Sequence, residues 1–170
     1  MFISIVTPTY NEEDNIELLS LKITAQMKVI KDVNYEHIII DNASTDRTQK
    51  IVKGLAEKDK RIKVIFNLRN FGQIRSPFYG MLQANGDAII LLASDFQDPI
   101  ELIPELISKW KMGHEAVMLQ RSKSEEFFIL EYVKIFFYKF INKISEVNLT
   151  KNTTGSGIYD RKIINRMRSI

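Results

Sequence analysis

Asp95 and Asp98 are the two acids in "AIILLASDFQDP" (88–99), where an apolar run ends abruptly in a polar loop and a proline. Carboxylates at the end of a buried strand have two ordinary uses: they cap a helix, or they hold a hard divalent cation, which prefers oxygen ligands. Asp98-Pro99, with Glu101 following, has the spacing of a helix cap, with Pro at the first helical position and a capping-box acid at the third. Asp95 stands closer to the strand and is the better metal candidate. No cysteine is present, and the two histidines, His37 and His114, are isolated. Thiolate and imidazole chemistry are therefore not expected. There is neither a G-x-G-x-x-G turn after the first strand nor a Walker A loop anywhere, so no glycine-rich backbone cradles a diphosphate. A cation held by a carboxylate is the natural substitute, since Mg²⁺ commonly takes one or two carboxylates and completes its shell with substrate phosphates.

Strand-like and helix-like segments alternate around these residues. "ISIVTPTY" (3–10), "HIIIDNAS" (37–44), "IKVIFN" (62–67), "AIILLAS" (88–94) and "EAVMLQ" (115–120) read as strands. Asn11 can cap a first helix with Glu12, Glu13 and Asp14 in its first turn, and Ile16, Leu19, Ile23, Met27 and Ile30 recur at helical spacing. Ser44 or Thr45 can cap a second helix, in which Asp46 compensates the dipole. Residues 76–84 predict a third, and Pro99 or Pro104 starts a fourth that Gly113 ends. Asp87 in the turn "NGD" and Trp110 read as structural. Such alternation predicts an α/β fold, a mainly parallel central sheet with helices on both faces.

In open sheets of this kind ligands bind beyond the carboxyl ends of the strands. Thr7, Pro8, Thr9, Tyr10, Asn11 and Glu12 follow the first strand, and Asp41 and Asn42 the second. Asn67, Arg69, Asn70 and Gly72 follow the third, and Ser94, Asp95 and Asp98 the fourth. Arg69, Arg75 and Arg121 suit phosphate bidentately, and Arg121 is favoured because it directly follows a strand.

A chain of 170 residues is long enough for one domain, and 45% apolar with 26% charged residues is ordinary for a globular protein. Net charge is only +3 and the basic residues are dispersed, so a nucleic-acid partner is not expected. No apolar stretch reaches membrane-spanning length. Residues 124–147 mix aromatic side chains with Lys134, Lys139 and Lys143. An interfacial membrane helix has this composition, and so has a helix packed on the sheet or on a second copy of the chain. "NLTKNTTGSG" (148–157) reads as a turn-forming stretch, and the final segment only begins an element, which predicts continuation past residue 170.

Four segments in register, "IVTPTYNEEDNI" (5–16), "IIIDNASTDRT" (38–48), "NLRNFGQIRSPFYGMLQANGD" (67–87) and "LLASDFQDPIELIPELISKW" (91–110), resemble the family 2 glycosyltransferases of GT-A fold. The nearest likeness is to the bacterial branch similar to dolichyl-phosphate mannose synthases and undecaprenyl-phosphate sugar transferases. It covers residues 3 to 165. The resemblance implies a nucleotide-diphosphate sugar donor, Mg²⁺ or Mn²⁺, and inverting transfer. It implies one catalytic domain, with a donor-binding part over 1–121 and an acceptor- and membrane-facing part over 122–170. It places Asp41 on the nucleobase, Pro8 to Glu12 alongside base and ribose, and Asp95 on the metal. Adding the strand-end residues Asn70, Gly72 and Ser94 and the strand-following Arg121 to these gives the candidate donor-binding set Pro8, Thr9, Tyr10, Glu12, Asp41, Asn70, Gly72, Ser94, Asp95 and Arg121. Many relatives carry D-x-D where this chain has Ala93-Ser94-Asp95, which leaves one carboxylate for the cation.

"TTGSGIYDRK" (153–162) resembles a segment near the acceptor site, where some relatives carry an acidic base. Gly155 or Ser156 stands at that place here. A sugar hydroxyl needs such a base. A phosphomonoester, with a second pKa near ~6, is already a dianionic nucleophile at neutral pH. The missing base thus favours a polyprenyl-phosphate acceptor and a site at the cytoplasmic face of a membrane. Glu125 and Asp160 remain weak candidates for a base. Transfer to a growing saccharide is the second reading, and a non-catalytic nucleotide-sugar-binding module the third.

Overall fold

The computed structural model describes residues 1–120 and 153–169. The helix expected over 124–147 lies outside the described residues. Two compact units are distinguished, Met1–Val117 with Ser156–Ile170, and Met118–Gly155. Of the second, only the strand ends 118–120 and 153–155 are described.

Six strands form one sheet: β1 (Phe2–Thr9), β2 (Asn34–Asp41), β3 (Ile62–Phe66), β4 (Ala88–Leu91), β5 (Ala116–Gln120) and β6 (Thr153–Asp160), in the order β3-β2-β1-β4-β6-β5. β1, β2, β3 and β4 are parallel, and β6 runs antiparallel to β4. The helices are α1 (Ile16–Val29), α2 (Thr48–Lys58), α3 (Gly72–Gln83), α4 (Ile103–Lys111, preceded by a 3-10 turn over Ile100–Leu102) and α5 (Arg161–Met167). This is the α/β architecture anticipated from the alternating pattern. The strand β6 is a departure: Thr153 to Gly157 read as turn-forming, yet Gly157 pairs with Leu91 and Ile158 with Ile90. Long-range pairing overrides the local turn preference of these residues.

The parallel strands are apolar on both faces, as burial on both sides requires. On one face Val6, Ile38, Ile40 and Ile89 pack with Met81 and Ala84 at α3 and with Ile164 of α5. α3 lies tight on the sheet because Gly80 has no side chain; a Cβ there would stand 2.8 Å from Val6 Cγ1. On the other face Ile16, Leu19 and Ile23 of α1, Val52 of α2, and Ile103 and Ile107 of α4 are fully or almost fully buried.

Helix starts differ from expectation. α1 begins at Ile16 and not after Asn11, because Asn11 takes a left-handed φ of 54° and its side chain bonds elsewhere. α2 begins at Thr48, where Asp46 Oδ1 accepts the Thr48 N–H at 2.9 Å. Neither Ser44 nor Thr45 caps it. α3 starts at Gly72, four residues before the expected Ser76.

Candidate functional site: the carboxyl edge of the sheet

β1, β2 and β4 end at the same edge, with Thr9 opposite Asp41 and Val6 opposite Leu91. The Leu92 N–H donates to Val6 O at 3.1 Å, so the segment leading to Asp95 leaves β4 directly beside the end of β1. Parallel strand direction alone therefore brings Thr9, Asp41 and Asp95 to one edge.

Asp41 is fully buried. One carboxylate oxygen, Oδ2, accepts from the Ser44 N–H at 3.1 Å and from Gln49 Nε2 at 2.8 Å. Among the described residues the other, Oδ1, is buried without a partner, and so is Thr9 Oγ1 across the register. Buried polar atoms are nearly always hydrogen-bonded, and an orphan costs stability. These two orphans stand on register-paired residues at the carboxyl edge of the sheet, where a water or a polar ligand would satisfy them. Gln49 was not foreseen; its position on α2 reveals nothing until the helix is laid against β2.

The loops after β1 and β2 are stitched together around this pair. The Asn11 N–H donates to Ser44 Oγ at 2.9 Å, the Glu12 N–H to Thr48 Oγ1 at 2.9 Å and the Glu13 N–H to Asp46 Oδ2 at 3.2 Å. In return the Thr45 N–H donates to Asn11 Oδ1 at 2.8 Å and the Arg47 N–H to Glu13 Oε2 at 2.7 Å. The Arg47 guanidinium beside Glu13 holds that carboxyl below its ordinary value. Pro8 is half-buried and Tyr10 exposed here, and Glu12 accepts from Asn15 Nδ2 at 2.7 Å.

A second network ties in the β3–α3 loop, with Asn42 as its hub. Asn42 Nδ2 donates to Asn70 Oδ1 at 2.8 Å, while Asn42 Oδ1 accepts from the Phe71 N–H at 2.9 Å and from Asn67 Nδ2 at 3.1 Å. The Gly72 N–H in turn donates to Asn70 Oδ1 at 2.8 Å. Gly72 has φ of 83°, a conformation suited to glycine. Asn70 and Gly72 are thus joined to the same edge as Asp41.

The loop after β4 is closed on itself. The Gln97 N–H donates to Asp95 Oδ1 at 3.1 Å, and the Ala93 N–H to Asp98 Oδ2 at 3.3 Å. Asp98 is buried and fastens the loop; the helix-capping role expected for it is not observed, because Pro99 occupies the cap position before the 3-10 turn. Ser94 is buried and Asp95 exposed. Among the described residues no group of three or more acids or histidines is gathered for a metal. One exposed carboxylate beside the carboxyl edge of the sheet would suit Mg²⁺ or Mn²⁺ that takes its remaining ligands from a diphosphate and water, and does not suit an all-protein cage.

Arg121 and Glu125 lie outside the described residues. Asp160 is not brought to this edge. It pairs with Ala88 at the start of β4, where the parallel strands begin. Its carboxylate accepts from Trp110 Nε1 at 2.8 Å and from the Lys162 N–H at 2.9 Å, capping α5. Asp87 is structural, accepting the Phe2 N–H at 2.8 Å. His37 is buried with Nε2 3.0 Å from Thr7 Oγ1, and burial pushes its pKa down to about 4.

Comparison with known proteins shows the family. The family model described as glycosyl transferase family 2 matches residues 4–168. An uncharacterised glycosyltransferase of Synechocystis is 34% identical over 169 residues, 99% of this chain and 53% of that protein. The bactoprenol glucosyl transferase of Shigella phage SfV is 34% identical over 169 residues, 99% of this chain and 55% of its own length. The chain therefore spans about half the length of the curated relatives it matches. A solved mannosyltransferase from Pyrobaculum calidifontis, in complex with GDP-Man and Mn²⁺, shares the fold with a TM-score of 0.63 at 17% identity, over 97% of this chain and 46% of that one. With the family model matching almost end to end, the chain belongs to glycosyl transferase family 2.

Proposed function

We propose that this protein transfers a sugar, with inversion, from a nucleotide-diphosphate sugar to a polyprenyl phosphate at the cytoplasmic face of a membrane. The observation that carries the reading is the pair of orphaned buried atoms, Asp41 Oδ1 and Thr9 Oγ1, at the edge where Asp95 leaves β4. An ionised carboxylate oxygen accepts a ring N–H of the base, and the threonine hydroxyl adapts to a neighbouring donor or acceptor. Tyr10, Asn70 and Gly72 flank that position, and Ser94 and Asp95 face the diphosphate. Asp95 would hold Mg²⁺ or Mn²⁺, which would neutralise charge on the departing diphosphate.

In the reaction an oxygen of the lipid phosphate attacks the anomeric carbon, the bond to the diphosphate breaks, and the nucleoside diphosphate leaves. A phosphate dianion needs no base, so the chain's residues act chiefly by positioning. The placement of Asp160 at the opposite edge supports an acceptor of this kind, as does the acceptor named for the phage relative. No helix among the described residues is long and apolar enough to cross a membrane. Saccharide transfer is the competing outcome.

The test is a thermal-shift panel of nucleoside diphosphates with and without Mn²⁺, followed by sugar transfer to undecaprenyl phosphate. Asp95→Asn should abolish the metal-dependent part of the stabilisation. Unchanged stabilisation removes Asp95 from the metal. Transfer to a saccharide but not to the lipid phosphate replaces the acceptor.

A further inference from the structure

Phe96, the residue after Asp95, has φ of 59°. A left-handed backbone is costly for a bulky L-residue and persists only where surrounding contacts impose it. α1 supplies contacts to this residue. Lys22 Nζ lies 5.3 Å from the centroid of the Phe96 ring and 3.8 Å from Glu101 Oε1. α1 is a firm base for this contact, because Leu19 and Ile23 on either side of Lys22 are fully buried. Lys22, Phe96 and Glu101 also line one cavity of about 360 Å³, with Asp98 and Pro99 in the same wall. The loop's internal bonds close it from Ala93 to Asp98 and from Asp95 to Gln97, but they do not hold the Phe96 ring.

We propose that Lys22 is a positioning residue for Asp95: its ammonium, seated over the Phe96 ring and paired with Glu101, latches residue 96 in the left-handed conformation that sets the direction of the neighbouring carboxylate. The inference rests on the reading of Asp95 as the metal-holding residue. Cation–π attraction is sequence-distant here, joining α1 to a loop more than seventy residues later, so it can impose a conformation that local preference opposes. Glycine adopts positive φ freely. Substituting it at residue 96 removes the need for a latch, whereas alanine keeps the backbone cost and loses the ring.

The measurements are Mn²⁺ titration of the UDP- or GDP-dependent rise in Tm, and amide exchange at residues 95–97 without ligand. Lys22→Ala should raise the half-saturating Mn²⁺ concentration about two- to fivefold, as an exposed cation–π contact allows, and speed exchange in the loop, with Lys22→Arg close to wild type. Phe96→Ala should be impaired more than Phe96→Gly, and adding Lys22→Ala to Phe96→Gly should cost nothing further. Wild-type Mn²⁺ response in Lys22→Ala, or an equal cost of Lys22→Ala in the Phe96→Gly background, overturns the latch and leaves the metal site standing. Absence of any Mn²⁺ response in the wild type overturns the metal site and the latch with it.

Discussion

At the scale of single residues, the proposed function gives Asp41 two jobs with one carboxylate. Oδ2 is engaged by Gln49 and the Ser44 amide, which fixes the rotation of the group and leaves Oδ1 without a partner among the described residues. Asp41→Asn separates the two jobs. An asparagine can keep its oxygen toward Ser44 and Gln49, but it presents an NH₂ where the base needs an acceptor. Binding of the cognate nucleoside diphosphate should weaken by about 1–3 kcal/mol, roughly tenfold to a hundredfold, while the Tm of the free protein moves little. Calorimetric titration checks this, and undiminished affinity would remove Asp41 from the base pocket. Gln49→Leu should show the same loss in smaller measure, since it frees the carboxylate to rotate without altering its charge.

At the scale of elements, the site depends on loops held by side chains reaching across from neighbouring loops. Asn42 takes part in hydrogen bonds to Asn67, Asn70 and Phe71. Asn42→Ala leaves the Phe71 N–H and the Asn67 amide to find water, at a cost of about 1–3 kcal/mol. The expected outcome is faster amide exchange over residues 70–73 with β1 and β2 still protected, and weaker donor binding as a consequence. Uniform exchange across the sheet and the loop would contradict a local role. The clasp between the first two loops also holds the left-handed turns at Asn11 and Ala43, with φ of 54° and 63°: the Asn11 N–H donates to Ser44 Oγ and the Thr45 N–H to Asn11 Oδ1, just after the Ala43 turn.

For the whole molecule, the buried His37 links fold stability to pH. Its pKa lies near 4 in the folded chain, against 6.5 for the exposed group. The folded state refuses a proton that the unfolded chain accepts, so stability is complete above about pH 6.5 and declines as the pH falls toward 4. The slope cannot exceed about 1.4 kcal/mol per pH unit for one group. Carboxylates with lowered pKa, such as Glu36, where hydrogen bonds from Lys63 and Ser4 outweigh burial, add their loss only at lower pH. Urea unfolding at pH 7, 6 and 5 should show the decline, and His37→Gln should flatten it. A flat wild-type profile over that window would mean that His37 is protonated inside the fold.

Much of this was legible in the residues. Apolar periodicity identified the five strands up to residue 120, the four helices between them and the parallel class, because buried parallel strands leave few positions for polar groups. Parallel direction also predicted that the strand ends carrying Thr9 and Asp41 and the segment leading to Asp95 fall on one edge, as they do. What only the tertiary structure decided was whatever depends on partners distant in sequence. Antiparallel pairing carried Asp160 to the wrong edge and made a strand of a segment that reads as turn. A loop closure turned Asp98 from a cap into a fastener, and packing of α2 on β2 set Gln49 against Asp41. Spacing and propensity act over a few residues, whereas these outcomes are settled by long-range pairing and burial, which no local pattern encodes.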